Sequence, residues 1–581
     1  MMPATNTSTN VGRFLIEGEA CSDVAFSSLP LSFMMGVDAK TGVVIDQSHP
    51  LLRICLAGKV VVLPHGRGSC SGSGVILELL LENAAPAALI FSHLEEILTL
   101  GVLICRILFK KSIPVILLSD AHVFSLLEHA KNVRIFGHEI HIDSNHFTLA
   151  SSKENELTLS EEDKRMLRGE NCSTATQTAM ETVASFAEIQ GAKSLINVSQ
   201  VHIDACCYVG KSSVLIPQTL HNQGGKFLVP STCNSLNIDI QRWKQMGVHA
   251  DIGSINSKIA ELYLAMGSKM SFTCAPYLLD SKPQSGEQIG WGESNAVVFA
   301  NSVLGARTQK YPDYLDVMIA LTGRAPYTGA HLSSGRLPKL SITVPELSGY
   351  DQSVFPLLGY HIGGMVGSKI PCIFGLEASK ATVPNLKDFS AAFATTSSAP
   401  MFHMNGITPE SHDLQLDPNL RQLVIGVEDL QRTWRQLNTA ETKKIDLVSL
   451  GNPHLAFEEF VGLADLCRDR VKAKDCAMVI TTNRHVYSQA AKHGQLNILE
   501  KFGAQIITDT CWCMIDEPVI STHISTIMTN SAKYAHYGPG LTNRKYHFGS
   551  LASCIAAACN GQRDETDISP SWLFKPNQIQ N

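Results

Sequence analysis

From residue 56 onward, short aliphatic runs alternate with stretches long enough for helices. The runs Leu56–Pro64 (LAGKVVVLP), Ala87–Ser92 (AALIFS) and Ile113–Ser119 (IPVILLS) predict strands joined through helices, that is, βαβ units and a largely parallel sheet. The first domain is expected to be a compact α/β layer. Near residue 150 the pattern changes to the polar SSKENELTLSEEDKRML, which sets a domain boundary, with residues 1–150 on one side and 151–581 on the other. Ser160 and Asp163 there have capping-box spacing and predict a helix through Met166 and Leu167. Beyond it, LINVS, KFLVPS, IDLVSLG, CAMVITT and AQIITDTC again alternate with helical segments. That length exceeds one simple sheet, so an α/β unit with at least two lobes around a cleft is expected. No internal repeat or low-complexity tract interrupts it.

Composition narrows the class. A chain of 581 residues, 44% hydrophobic and 7% aromatic, is a multidomain globular protein rather than a disordered or membrane chain. Its net charge of -6 offers no basic patch, so nucleic acid is not an expected partner. The longest apolar region, Ala84–Leu118, is broken by His93, Glu95, Glu96, Arg106 and Lys110, too often for a bilayer span. The N-terminal MMPATNTSTNVGR has no apolar stretch of signal-peptide type and a single Arg, so the expected location is cytoplasmic. Sixteen cysteines without paired C-x-x-C motifs predict no disulfide framework and no zinc ribbon. Most of these thiols read as small core residues, and GHEIHID lacks the spacing of a zinc protease.

Six segments carry candidate chemistry. In KVVVLPHGRGSCSGSGVILELLLENA a strand leads into a turn rich in Gly and Ser, then a helix. Such a turn lets a backbone approach a ligand and offers free N–H groups to an anion. Ser69, Ser71 and Ser73 lie on it, and the same segment also reads as a tight turn with solvated serines. No Walker lysine follows, and the spacing is not that of a dinucleotide fingerprint. The second segment, Phe272–Tyr314, is a polar-lined loop region with Cys274 before Ala275 and Pro276, followed by Glu293, Ser294 and Asn295. Third and fourth are SKIPCIFGLE, with Cys372, and AQIITDTCWCM, where a strand-like run ends in Asp509, Cys511 and Cys513. Cys511 is the best placed thiol, because ligands gather at the carboxyl ends of strands in open α/β sheets. Three thiols so far apart could meet only through folding, as a cluster with three protein thiolates and one open iron position requires. The fifth, Met528–Leu551, carries Ser531, Lys533, His536, Tyr537, Arg544 and Lys545, groups suited to a carboxylate or to a solvated surface. VHIDACCYVG, with His202 and Asp204, is a similar polar island after a strand.

These segments together resemble the aconitase X family across nearly the whole chain. LSFMMGVDAKTGVVIDQSHPL, GRGSCSGS and APAALIF resemble its swivel domain. VHIDACCYVG, TCAPYL, GEQIGWGESNAVVFANSVLGART, LTGRAPYTGAHL, FPLLGYHIGG, MFHMNGITPE, LVSLGNPH, TDTCWCM and TNSAKYAHY resemble successive blocks of its large domain. The resemblance implies an N-terminal swivel domain fused to a large multi-lobed α/β aconitase-like catalytic domain. It also implies an iron–sulfur-dependent hydro-lyase acting on a small hydroxy acid, in which cluster iron serves as Lewis acid. Ser69 then maps onto the basic Ser of the swivel turn, and Cys274 and Cys511 onto metal ligands. Ser71, His202, Glu293, Ser294, Asn295, Ser531 and Lys533 are expected to bind substrate. Asn452 departs from the archaeal two-subunit members, which have Cys in the corresponding G-C-P-H block. That departure favours Cys372 as third ligand and a 2Fe–2S over a 4Fe–4S cluster. Fused members with GNPH imply dehydration of cis-3-hydroxy-L-proline to Δ1-pyrroline-2-carboxylate. Mevalonate 5-phosphate as substrate, or a ligand-binding relative without turnover, are the alternatives.

Overall fold

The computed structural model describes residues 10–47, 49–152, 157–511, 515 and 517–574, and the chain divides into two compact units. The first comprises Met1–Ser231, Ala265–Gly267 and Tyr311–Thr328; the second comprises Thr232–Leu264, Ser268–Lys310 and Gly329–Asn581.

The first unit begins with a closed eight-stranded barrel. Its strands are β1 (Gly12–Ile16), β2 (Ala20–Phe26), β3 (Val60–Leu63), β4 (Ala88–Phe91), β5 (Val115–Leu118), β6 (Asn132–Phe136), β7 (Glu139–Ile142) and β8 (Asn145–Ala150). The order around the barrel is β1-β5-β4-β3-β2-β6-β7-β8. Strands β2 to β5 pair in parallel, as the aliphatic runs predict. The closure is a departure from the expected layer: β6, β7 and β8 form an antiparallel meander, and β8 then pairs with β1 in parallel. Val60, Val62, Ala88, Ile90 and Ile116 share one core with Val133, Ile135, Ile140 and Ile142. Val61, Leu63, Leu89 and Phe91, facing the other way, are buried as well, which is why β3 and β4 read as unbroken apolar runs.

Two helices, α1 (Gly72–Leu81) and α2 (Ile97–Phe109), follow β3 and β4 and pack together. A Cβ on Gly101 would stand 2.4 Å from both the Ser73 carbonyl oxygen and Ile76 Cγ2, so their close approach requires glycine there. The domain boundary expected near residue 150 lies just after β8, inside the first unit. Next comes the helix Glu161–Leu167, whose capping box is present as its spacing predicts. Its buried Asp163 pairs with Arg324 at 2.7 Å.

The second unit contains two parallel sheets. One orders β9 (Leu340–Thr343), β10 (Pro371–Phe374), β11 (His403–Met404) and β12 (Arg421–Val424) as β11-β10-β9-β12. The other orders β13 (Leu447–Leu450), β14 (Ala477–Thr482), β15 (Gln505–Thr508), β16 (Thr526–Thr529) and β17 (Lys545–Phe548) as β15-β14-β13-β16-β17. Each has its own apolar core. Among the described residues no helix is long and apolar enough to cross a membrane.

Candidate active site

Because every pairing in the five-stranded sheet is parallel, the loops leaving β13, β15 and β16 emerge along one edge. That edge is where open α/β sheets collect ligands. The β13 loop carries Gly451–His454, the β15 loop Asp509–Cys511, and the β16 loop Asn530 and Ser531, with Lys533 in the first turn of the helix that follows. Gly451 makes the first turn sharp: its φ is +99°, and a Cβ there would stand 2.1 Å from the Thr481 carbonyl oxygen.

His454 is fully buried and bonds to two other loops. Its Nε2 lies 2.9 Å from the Thr510 carbonyl oxygen. A carbonyl only accepts, so Nε2 carries the proton. Burial pushes the imidazole down to about 4, which leaves Nδ1 as an acceptor for the Thr273 hydroxyl at 3.0 Å. The His454 backbone N–H donates to Cys274 Sγ at 3.4 Å. Beneath this loop the buried Lys387 donates to the His454 carbonyl oxygen at 3.4 Å and pairs with Glu459 at 2.5 Å.

Cys274 is buried, and its thiol is pushed up to about 12, first by desolvation and then by the neighbouring Cys511 thiol; Lys533 and the His454 N–H act in the opposite sense. Cys511, partly exposed, is held by its N–H donating to the Leu236 carbonyl oxygen at 3.0 Å. Preceding it, Asp509 takes a left-handed φ of +63°, a conformation that Asp tolerates better than most residues. Its buried carboxylate accepts from Arg484 Nε at 2.8 Å. Burial outweighs Arg484 and pushes that carboxyl up to about 6.

Glu293 and Lys533 complete the group. Lys533 Nζ donates to Glu293 Oε1 at 2.9 Å, and Asn295 Nδ2 donates to the same oxygen at 2.6 Å. Asn295 Nδ2 also reaches the Cys274 carbonyl oxygen at 3.1 Å, while the Tyr277 hydroxyl donates to Asn295 Oδ1 at 2.9 Å. Ser294 opens the helix Ser294–Phe299, capped by Glu293. Ser531 caps the helix Ala532–Thr542, its Oγ accepting the Tyr534 N–H at 3.2 Å. Of the expected residues, Cys274, Cys511, Glu293, Asn295 and Lys533 therefore share one neighbourhood. Tyr277, Thr273, Lys387 and His454 were not singled out by residue type; only the GNPH block pointed toward the last.

Cys372 sits elsewhere, inside β10 of the four-stranded sheet. Burial and Glu377 push its thiol up to about 11. Cys513 lies outside the described residues. Among the described residues no three His, Cys, Asp or Glu side chains are placed to hold one metal ion. Cys274 and Cys511 are neighbouring thiols, and Asn452 lies on the β13 loop two residues before His454.

Within the first unit, Ser69 lies on the turn between β3 and α1. Gly68, at φ +88°, has Ser32 Oγ 2.6 Å from where a Cβ would sit. The Ser71 N–H donates to Ser69 Oγ at 3.3 Å, and the Ser69 hydroxyl donates to Ser71 Oγ at 3.3 Å. Ser73 is turned away, donating to the Cys70 and Asp313 carbonyl oxygens. His202 is buried on the strand Val201–Ile203. The next residue, Asp204, donates its N–H to Asp316 at 2.5 Å, and burial followed by Asp313 pushes the Asp316 carboxyl up to about 7.

Four family models match in succession: the aconitase X swivel domain over residues 9–143, and its first, second and third domains over 156–334, 338–435 and 445–560. The chain belongs to the aconitase X family. Over 571 residues it is 47% identical to the cis-3-hydroxy-L-proline dehydratase of Hypocrea jecorina, covering 95% of this chain and 96% of that one. Over 578 residues it is 43% identical to the protein of the same name from Pseudomonas aeruginosa, covering 97% and 98%. Both of these aconitase X relatives are named dehydratases, that is, hydro-lyases. The crystal structure of Thermococcus kodakaraensis aconitase X in its holo-form matches 69% of this chain and all of that one, with 28% identity and a TM-score of 0.63.

Proposed function

We propose that the chain is an iron–sulfur-dependent hydro-lyase that removes water from cis-3-hydroxy-L-proline, giving Δ1-pyrroline-2-carboxylate. The observation that carries this reading is the full-length likeness, at 47% and 43% identity, to two proteins of that activity. It spans the swivel domain as well as the rest of the chain.

Cys274 and Cys511 are assigned as thiolate ligands. Cys372 lies on β10 of the other sheet, so its place as third ligand is an expectation for variants to decide, and Asn452 favours a two-iron over a four-iron cluster. When bound, such a cluster supplies a Lewis-acidic iron for the hydroxyl that leaves. The other roles belong to the chain's own side chains. Ser69 is the proposed base for the proton on the carbon bearing the carboxylate. Its alkoxide form is favoured by the Ser71 N–H and by the start of α1. Lys533, steadied by Glu293, is the proposed cation for the substrate carboxylate, with Ser531 and Ser294 as hydroxyl partners. Asn295 is proposed to contact the substrate beside Lys533, and His202 and Ser71, on the first unit, are further proposed substrate-binding residues.

Loss of the ring hydrogen and the hydroxyl forms an enamine that tautomerises to the cyclic imine. The test is a substrate screen on the anaerobically reconstituted protein, with Δ1-pyrroline-2-carboxylate identified by mass. Turnover of cis-3-hydroxy-L-proline supports the reading; turnover of mevalonate 5-phosphate alone, or of neither, contradicts it.

A further inference from the structure

Four polar atoms of His454 have partners, and three of those partners lie on or beside the cysteine loops. The Thr273 hydroxyl donates to Nδ1, one residue before Cys274. The carbonyl oxygen of Thr510, one residue before Cys511, accepts from Nε2. The backbone N–H goes to Cys274 Sγ itself, and the carbonyl oxygen accepts from the buried Lys387. Thr273 Oγ also accepts the Ala275 N–H at 3.0 Å, so its hydroxyl proton is directed at the imidazole. The ring is thus a rigid spacer between loops that come from distant parts of the sequence. No other side chain in the described residues bridges Thr273 and Thr510.

We propose that His454 is a positioning residue that fixes the loop of Cys274 against the loop of Cys511, so that the two thiols are set before any iron–sulfur group arrives. An imidazole suits this work because its acceptor and donor nitrogens point in different directions on one flat ring. An amide offers both functions too, but from a single carbon. Asn can therefore imitate the Nδ1 acceptor and Gln the Nε2 donor, and neither imitates both. The inference deepens the hydro-lyase reading by naming what prepares its ligand pair.

The test uses the full-length metal-free protein and site-resolved alkylation of cysteines by N-ethylmaleimide, followed by mass spectrometry. Loss of two buried hydrogen bonds should open the Cys274 loop locally, so His454→Ala should alkylate Cys274 about 10-fold faster or more than the parent chain. The buried Cys206, Cys476 and Cys554 should keep their parent rates. His454→Asn and His454→Gln should each fall between parent and Ala. Thr273→Val removes the hydroxyl that faces Nδ1, together with the acceptor of the Ala275 N–H, and it serves where His454→Ala does not fold. It should also accelerate Cys274, and adding it to His454→Ala should produce less than the product of the two effects.

Parent-like alkylation of Cys274 in both His454→Ala and Thr273→Val would overturn the proposal. So would a uniform rise at Cys206, Cys476 and Cys554, which would mark a general loss of packing. After reconstitution, the Ala variant should also lose iron to a chelator faster than the parent. Since alkylation is read without metal or substrate, a parent chain that dehydrates nothing would contradict the hydro-lyase reading and leave the His454 result intact.

Discussion

The role proposed for Ser69 depends on the turn that carries it. A serine hydroxyl is a poor base in water, and here one N–H and the start of a helix stand ready for its negative form. Ser69→Ala should therefore leave the fold and cluster absorbance unchanged and lower kcat by about 100-fold or more. Ser71→Ala should be milder, and parent-like turnover in Ser69→Ala would remove its proposed role. A second residue sets a pH dependence. Burial, helped by Arg563, pushes His547 down to about 4, although its ring also bonds the Thr442 carbonyl oxygen. This folded value lies below the unfolded value of about 6.5, so its contribution is complete above pH 6.5 and is lost as pH falls toward 4. In denaturant unfolding, His547→Gln should lose less stability than the parent chain between pH 7.5 and 5, by on the order of 2 kcal/mol. Equal losses would contradict that account. At this scale the sequence exposed residues with conspicuous neighbours: a Ser among glycines, a Cys after a strand, a Lys beside a turn. His454 was hidden because its partners at Thr273 and Thr510 lie far along the chain, and no local pattern encodes that meeting.

At the scale of elements, the ends of parallel strands gather the candidate chemistry. Cys511 follows β15, His454 follows β13 and Lys533 follows β16, so one edge receives residues from three separate stretches of sequence. Cys274→Ser and Cys511→Ser should each abolish the visible absorption of the reconstituted cluster, because thiolates are its protein anchors. Cys372→Ser and Cys513→Ser decide the remaining ligand. Loss of iron and sulfide in the first assigns Cys372, and loss only in the second replaces it. The strands themselves were legible wherever both faces are buried, as at β3, β4, β14 and β15, since apolar runs of that length have few other solutions. The closure of the barrel was not. Its final strands are short, with alternate residues exposed in β6, and nothing in NVRIF or EIHI specifies that β8 will return to β1.

For the whole molecule, family likeness runs from residue 9 to residue 560 with only short gaps, and the central claim is the reaction proposed for it. The claim is stereochemical as well as chemical. In cis-3-hydroxy-L-proline the hydroxyl and carboxylate share one ring face, which leaves the hydrogen on the carboxylate-bearing carbon on the other, anti to the leaving group. An anti elimination then proceeds without distorting the ring. In the trans-3 isomer that hydrogen and the hydroxyl lie on the same face, so a base and a hydroxyl acceptor arranged for anti departure cannot both reach their atoms. Misplacement of a reacting group by about 1 Å can cost roughly 100-fold. The most direct measurement is therefore kcat/KM of the purified, iron-loaded protein for the two isomers. The account predicts a cis-to-trans ratio of about 100 or more; comparable values for the two isomers, or turnover confined to mevalonate 5-phosphate, would contradict it.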